Sequence, residues 1–429
     1  MAIRISWKYD AAIIAAGLAL CFIHFALTPV SHLSISIDDH LDYVRHIAEH
    51  GIPLPDDCWE CFQPPLYYFL GSMWFNAAAA LHLDPATGVR FLSLCFHMGF
   101  LYFGCRLLRE TIFSPFAYYT GLILLVFWPL GILKSSAINN DIPEYLSQLA
   151  SFYYVMRWWR RPRPRQLALA LLWGAIALAF KNNGILLFPL IGGTVLYRWY
   201  RERFPVRSIW NQSVLLALAT AMLTGAFTFG RIYYYYRIMH PGAKPLMIAN
   251  VWESDKTTFI QDDLYYYISF DYPTFVKEAF FDPYHNPGGR LYFWNSYLKS
   301  ALFSGFSWKA RLLARWLSLA ELGLVLYMAA AIIPAVVLDK ARSAEWMPFL
   351  FFASIQVAAL IVYRGLYPTA WCQDHRYTYA ITAALAVIYA KSIVWYRKHY
   401  FLRVSRLGVA LGLGFSCLSI AFILAQALM

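Results

Sequence analysis

Apolar residues in this chain arrive in runs of about 17–25, the length that crosses a bilayer as a helix, separated by short charged or proline-rich turns. Eleven runs read as spanning helices, at roughly 11–30, 88–108, 112–133, 142–158, 166–180, 184–199, 209–230, 312–338, 347–364, 377–395 and 407–428. A twelfth, 65–83, is apolar enough to span. The stretch between the first run and this one behaves differently. Leu41, Val44, Ile47 and Ala48 recur at helical spacing after Asp38 and Asp39, which predicts a short amphipathic helix. Gly51 and Pro53 end it, and Gln63-Pro64-Pro65 then fixes how the chain starts the next helix.

Charge decides the topology. If 65–83 lies in the membrane interface, one side collects Arg4 and Lys8, Arg106 and Arg109, the Arg157–Arg165 and Arg198–Arg207 clusters, Lys340 and Arg342, and the Lys391–Arg406 cluster. The short loops of the other side then hold only Arg45, Arg90, Lys134, Lys181, Arg364 and Arg376. Such a bias marks the first side as cytoplasmic. A rival layout, in which 65–83 crosses and 142–158 does not, misplaces Arg106 and Arg109. Asn140-Asp141-Ile142-Pro143-Glu144 also reads as a helix start, which favours the interfacial layout.

Composition agrees. Of 429 residues, 60% are hydrophobic and 14% charged, more apolar surface than a soluble domain of this size hides. The net charge of +12 is therefore a topology signal and not a nucleic-acid signal. The fold class expected is an all-α polytopic membrane protein in three parts. Residues 1–230 form a transmembrane module with a catalytic first loop at 31–87. Residues 231–308 form an aromatic-rich loop or lid on the far side, suited to an interface belt or to sugar stacking. Residues 309–429 supply the last helices. Arg4 and Lys8 before the first run resemble a signal peptide, but no small-x-small cleavage site follows, so the run is read as an uncleaved anchor.

Cys21, Cys95, Cys105 and Cys417 lie inside apolar runs as packing residues. Cys58 and Cys61 form a lone C-x-x-C pair without the second pair a zinc ribbon needs; they are two loop thiols, or a local disulfide in an oxidising compartment.

The far-side ionisable groups gather where helices end: Asp38, Asp39 and Asp42, His40 and His46, Asp56, Asp57 and Glu60, Asp141, Lys181, and Asp374-His375-Arg376. Acids and bases on one membrane face suit a reaction at the lipid–water boundary. A carboxylate there can deprotonate a hydroxyl acceptor. Lys181 as a point charge and Arg376 as a fork can hold a phosphate. Each also has a plain structural reading. Asp38 and Asp39 can cap the helix they precede, Asn139-Asn140-Asp141 can be an N-cap, Lys181 to Gly184 a polar turn, and Asp374 to Arg376 a loop ion pair. Asp38, Asp39, Glu60, His40 and Asp141 have donor chemistry for a divalent metal, although no spacing demands one.

These residues resemble a family. Asp38-Asp39 after the first spanning helix, with the pattern D-D-x-x-x-Y-x-x-x-x-A-x-x-G running to Gly51, is similar to the signature of GT-C glycosyltransferases. The Gln63-Pro64-Pro65-Leu66-Tyr67-Tyr68 segment, Asn140-Asp141, Lys181 before Gly184, and Arg376-Tyr377 resemble motifs of the protein O-mannosyltransferases and lipid A aminoarabinose transferases. The resemblance implies a GT-C fold with interfacial helices in the first loop and a polyprenyl-phosphate-linked sugar donor. It implies inverting transfer to a lipid, glycan or protein hydroxyl, with Asp38 as base and Asp39 beside it. Lys181 and Arg376 would serve the donor phosphate, with Asp141, Gln63, Tyr67, Glu60 and His40 also binding substrate. The chain departs from the pattern with Asp39 for the commoner Glu, an uncharged Gln63, and Phe180 before Lys181. The cell envelope of a bacterium, with the active site outside the inner membrane, is the expected setting. A lipid transporter without chemistry is the alternative; the helix interiors hold few of the ionisable residues such a path uses.

Overall fold

The computed structural model describes residues 5–32, 35, 39–203, 205, 210–241, 263–280, 292–337, 344–367 and 370–429. Every regular element among them is helical. In chain order the first ten are α1 (Trp7–Leu27), α2 (His40–His50), α3 (Leu66–Ala80), α4 (Pro85–Thr111), α5 (Pro115–Val126), α6 (Pro129–Lys134), α7 (Asp141–Arg160), α8 (Pro164–Phe180), α9 (Leu187–Glu202) and α10 (Gln212–Tyr233). Short helices Leu264–Ile268, Tyr272–Lys277 and Phe293–Phe303 precede four long ones, Arg311–Val337, Met347–Leu366, Ile381–Lys398 and Leu402–Leu428. Asp38 lies outside the described residues, as does much of the expected lid: 242–262 and 281–291.

Among the described residues, six helices are long and apolar enough to cross a membrane: α1, α4, the stretch Gln212–Met239, Arg311–Val337, Met347–Leu366 and Leu402–Leu428. This is an integral, polytopic membrane protein. α3 has 15 residues, about 22 Å of helix, short of the roughly 30 Å hydrocarbon core. The run expected as one span at 112–133 is instead two helices. α5 ends at Val126 and α6 starts at Pro129, whose ring cannot continue a helix and whose predecessor is pushed out of helical geometry.

The chain divides into two compact units. The first holds residues 1–28, 104–134 and 257–429; the second holds 29–103 and 135–256. In the first unit α1 is tied at one end by Arg109, which donates to the Asp10 carboxylate at 2.6 and 3.1 Å and lies over the Trp7 ring. Near its other end His24 Nε2 is 3.1 Å from the Leu133 carbonyl. Glu321 and His375, both buried, line a small apolar-walled cavity of about 60 Å³ in this unit.

In the second unit α7 and α8 form an antiparallel hairpin across the turn at 161–163. Pro164 opens α8, where a missing N–H is harmless, and Ser151 Oγ donates to the Ala170 carbonyl at 2.8 Å across the pair. A separate apolar core joins the first loop to this hairpin: Tyr43, Val44 and Ile47 of α2, Tyr67 and Tyr68 of α3, Val89 and Leu92 of α4, Ile138 and Phe180.

Candidate active site in the second unit

The amphipathic helix starts at the residue after its acids. α2 begins at His40, and Asp39 precedes it in the left-handed region (φ 54°, ψ 27°) with no side-chain cap bond. Asp39 is exposed, stands at the N-cap position and makes no side-chain cap bond. Tyr43, Val44 and Ile47 make the buried stripe, with Leu41 and Ala48 at its margins.

Behind the exposed acid stands a stack of rings. Tyr68 lies flat on Tyr43, with ring centres 3.8 Å apart, and its hydroxyl is 2.8 Å from His40 Nδ1. Tyr67 meets Tyr68 edge-on and its hydroxyl is 3.2 Å from Ser93 Oγ. Burial drives the phenol of Tyr68 well above its ordinary range, and the neighbouring Glu60 carboxylate pushes the same way. Tyr67 and Tyr43 are also raised by burial, Tyr43 against the lowering field of Arg231. These phenols stay protonated at working pH, and Tyr43 donates to the Gln63 carbonyl. Glu60 itself is 2% exposed.

Lys181 and Asp141 form a buried ion pair that closes the far wall. Two local features aim the lysine. It is the extended residue after α8, where its N–H still bonds back to Ala177, and the chain then tightens into a 3₁₀ turn at Asn182–Leu186. Gly184 lets that turn press on α8: a Cβ there would sit 2.3 Å from the Leu178 nitrogen. Asn140 does not use its side chain as a cap. Its amide nitrogen donates to the Phe180 carbonyl at 3.0 Å and reaches Gln63 Oε1 at 3.5 Å. The first-loop motif, the N-D motif and the lysine motif thus meet through one side chain.

The segment 135–150 is wholly buried. Among the described residues, both polar atoms of the Asn139 amide and one oxygen of Glu144 find no hydrogen-bond partner; the other Glu144 oxygen accepts from Gln148 at 2.8 Å. Buried polar groups of this kind hold water or a polar group of a ligand. From sequence, Asn139 and Glu144 read only as parts of a helix start, and Arg231 is not singled out. No group of three His, Cys, Asp or Glu side chains among the described residues is arranged to hold a metal.

Arg376 belongs to the first unit. It is 9% exposed, its Nε lies 3.9 Å from the Asp374 carboxylate, and its guanidinium is 5.0 Å from the Tyr377 ring centre. His375 beside it is buried, and burial pushes its imidazole down to about 3. Cys58 and Cys61 are joined as a disulfide in the first loop.

No family model and no curated protein matches this sequence. Solved structures do resemble it. The oligosaccharyltransferase AglB of Archaeoglobus fulgidus, in complex with an inhibitory peptide and a dolichol-phosphate, is 15% identical with a TM-score of 0.49, covering 98% of this chain and 56% of its own. The arabinosyltransferase EmbB of Mycobacterium smegmatis is 14% identical with a TM-score of 0.47, covering 100% and 42%. ArnT of Cupriavidus metallidurans bound to undecaprenyl phosphate is 11% identical with a TM-score of 0.41, covering 89% and 77%. The chain spans about half the length of AglB, and the chemistry has to be argued from its own residues.

Proposed function

We propose that this protein is an inverting glycosyltransferase that moves a sugar from a polyprenyl-phosphate-linked donor to an acceptor hydroxyl on the extracytoplasmic face of a bacterial inner membrane. The observation that carries the reading is the Asn140 side chain. It binds the Gln63 end of the acidic first loop and the Phe180–Lys181 corner, so three motifs distant in sequence share one wall.

The chemistry follows from what each group does best. Asp38 or Asp39 takes the acceptor proton as its oxygen attacks the anomeric carbon, and the bond to phosphate breaks on the opposite face. Asp39 is exposed at the mouth of the loop, as a base that must meet an incoming hydroxyl needs to be. Lys181 stabilises the departing phosphate; Asp141 orients its ammonium until the phosphate shares it. His40, Tyr67, Glu60 and Gln63 shape the pocket behind the acids. In the first unit, Arg376 is the phosphate-directed cation. The topology that goes with this is eleven crossings, one of them made by the broken pair α5 and α6, with α3 in the interface, the N-terminus in the cytoplasm and the long aromatic loop outside.

The test is direct. Purified protein in lipid nanodiscs is given undecaprenyl-phosphate-linked mannose, galactose, arabinose and aminoarabinose with an extract of envelope acceptors. One donor is consumed, undecaprenyl phosphate is released, and the product bears the opposite anomeric configuration by NMR. Retained configuration, or movement of intact donor between leaflets without consumption, contradicts the reading.

A further inference from the structure

The first loop between Pro53 and Gln63 has no regular secondary structure; turns within it take the carbonyls of Leu54, Cys58 and Glu60, and others need partners from elsewhere. A single side chain serves three of them. Arg231, in the last turn of α10, donates through Nη2 to the Cys61 carbonyl at 2.5 Å and the Gln63 carbonyl at 2.9 Å, and through Nη1 to the Pro53 carbonyl at 3.4 Å. We propose that Arg231 is a positioning residue for the transfer reaction: a clasp that holds the disulfide-closed loop against the wall carrying Lys181.

Three further contacts make the clasp continuous with the site. Tyr43 donates to the same Gln63 carbonyl at 3.3 Å. The Gln63 side chain is the one Asn140 reaches, and Asn140 is bonded to Phe180, the residue before Lys181. Tyr236, on the π-helical turn Tyr234–Met239 that continues α10, donates to Asp56 in the same loop. A π turn is a rare element that places side chains out of the α-helical register, and here it brings a second donor to the loop within five residues of the first. The order of contacts is therefore α10, loop, Asn140, Lys181.

The residue type is informative. A guanidinium presents five N–H donors in a flat fork and can serve carbonyls on both edges of a turn at once; an ammonium is a single point with three short-reach donors. Arg231 spends its donors on main-chain carbonyls eight to ten residues apart, which is the task of a brace. Lysine keeps the charge and loses the span. The inference rests on the glycosyltransferase reading for what the held loop does, though not for whether it is held.

The experiment uses the full chain in nanodiscs, comparing wild type with Arg231→Lys, Arg231→Met and Tyr236→Phe. Hydrogen exchange is followed over peptides covering 51–66, donor consumption is resolved into kcat and KM, and melting temperature controls for folding. Both Arg231 variants raise exchange across 51–66 by about tenfold, as loss of charge-assisted bonds opens a local segment. Their kcat falls roughly 10–100-fold, the penalty for misplacing catalytic groups, while KM changes little and the melting temperature stays within a few degrees. Tyr236→Phe moves the same quantities in the same direction and by less. Unchanged exchange in both Arg231 variants overturns the clasp. Raised exchange with unchanged kcat also overturns it, because the brace would then not serve the reaction. If wild type consumes none of the donors yet exchange still rises, the glycosyltransferase reading fails and the brace survives as structure alone.

Discussion

Lys181 is paired with the Asp141 carboxylate across 40 residues of sequence, and both side chains are almost fully buried. Removing two charges from water is expensive, and a buried pair seldom repays that in stability better than an apolar pair would. Its presence therefore calls for a task other than holding the fold.

A double-mutant cycle separates a catalytic pair from a structural one. Lys181→Met leaves Asp141 charged and unpaired in the interior, and Asp141→Leu does the same to Lys181. Each single change should destabilise the protein by about 3–5 kcal/mol. The double variant Asp141→Leu/Lys181→Met should recover most of that stability and still show no transfer. Thermal unfolding in detergent and donor consumption measure the two halves. Full activity in the double variant would show that the pair is structural only.

Gly184 is the next point of leverage. A methyl group there would meet backbone, the Leu178 nitrogen at 2.3 Å and the Ala177 carbonyl carbon at 2.4 Å, and backbone cannot rotate aside. Gly184→Ala should cost about 1–3 kcal/mol, the range of overpacked sites, and lower transfer by displacing Lys181 three residues upstream. Gly192→Ala, where no atom lies within 4 Å of the added carbon, is the control and should leave both unchanged.

His375 predicts a pH dependence. Burial holds its imidazole down to about 3, against about 6.5 in an unfolded chain. The folded state therefore refuses a proton that the unfolded state accepts. Its contribution is complete above pH 6.5 and is lost as pH falls from there toward 3. The loss should reach about 2 kcal/mol by pH 5. His375→Gln, which keeps polarity and removes the titration, should flatten the fall in melting temperature between pH 7 and pH 5. An equal slope in the variant would place the titrating group elsewhere.

Long apolar runs, proline positions and the Lys/Arg bias made the membrane class and the first-loop helices legible, because those signals are local. α2 and α3 start where the pattern of Val44, Ile47 and the Gln63-Pro64-Pro65 step put them, and α3 ends three residues before the apolar run does. What stayed hidden depends on partners far along the chain. Asn140 looks like an N-cap from its neighbours, and only the placement of Phe180 shows its amide turned to another segment. Arg231 reads as a helix-end cation, and nothing near it in sequence says that it faces the carbonyls of Cys61 and Gln63. The break at Phe127-Trp128 was masked by uniform hydrophobicity, although Pro129 carried the signal. Sequence joined Arg376 to Lys181 by charge and membrane side alone, and the two belong to different compact units.

On the proposed mechanism, the neighbouring acids Asp38 and Asp39 activate an acceptor hydroxyl for attack on a lipid-linked sugar. The most direct test is donor consumption by Asp38→Asn, Asp39→Asn and the double variant, alongside binding of undecaprenyl phosphate to each. Transfer should be lost in the double variant and in at least one single variant, while folding and lipid binding match wild type. Wild-type turnover in all three would contradict it.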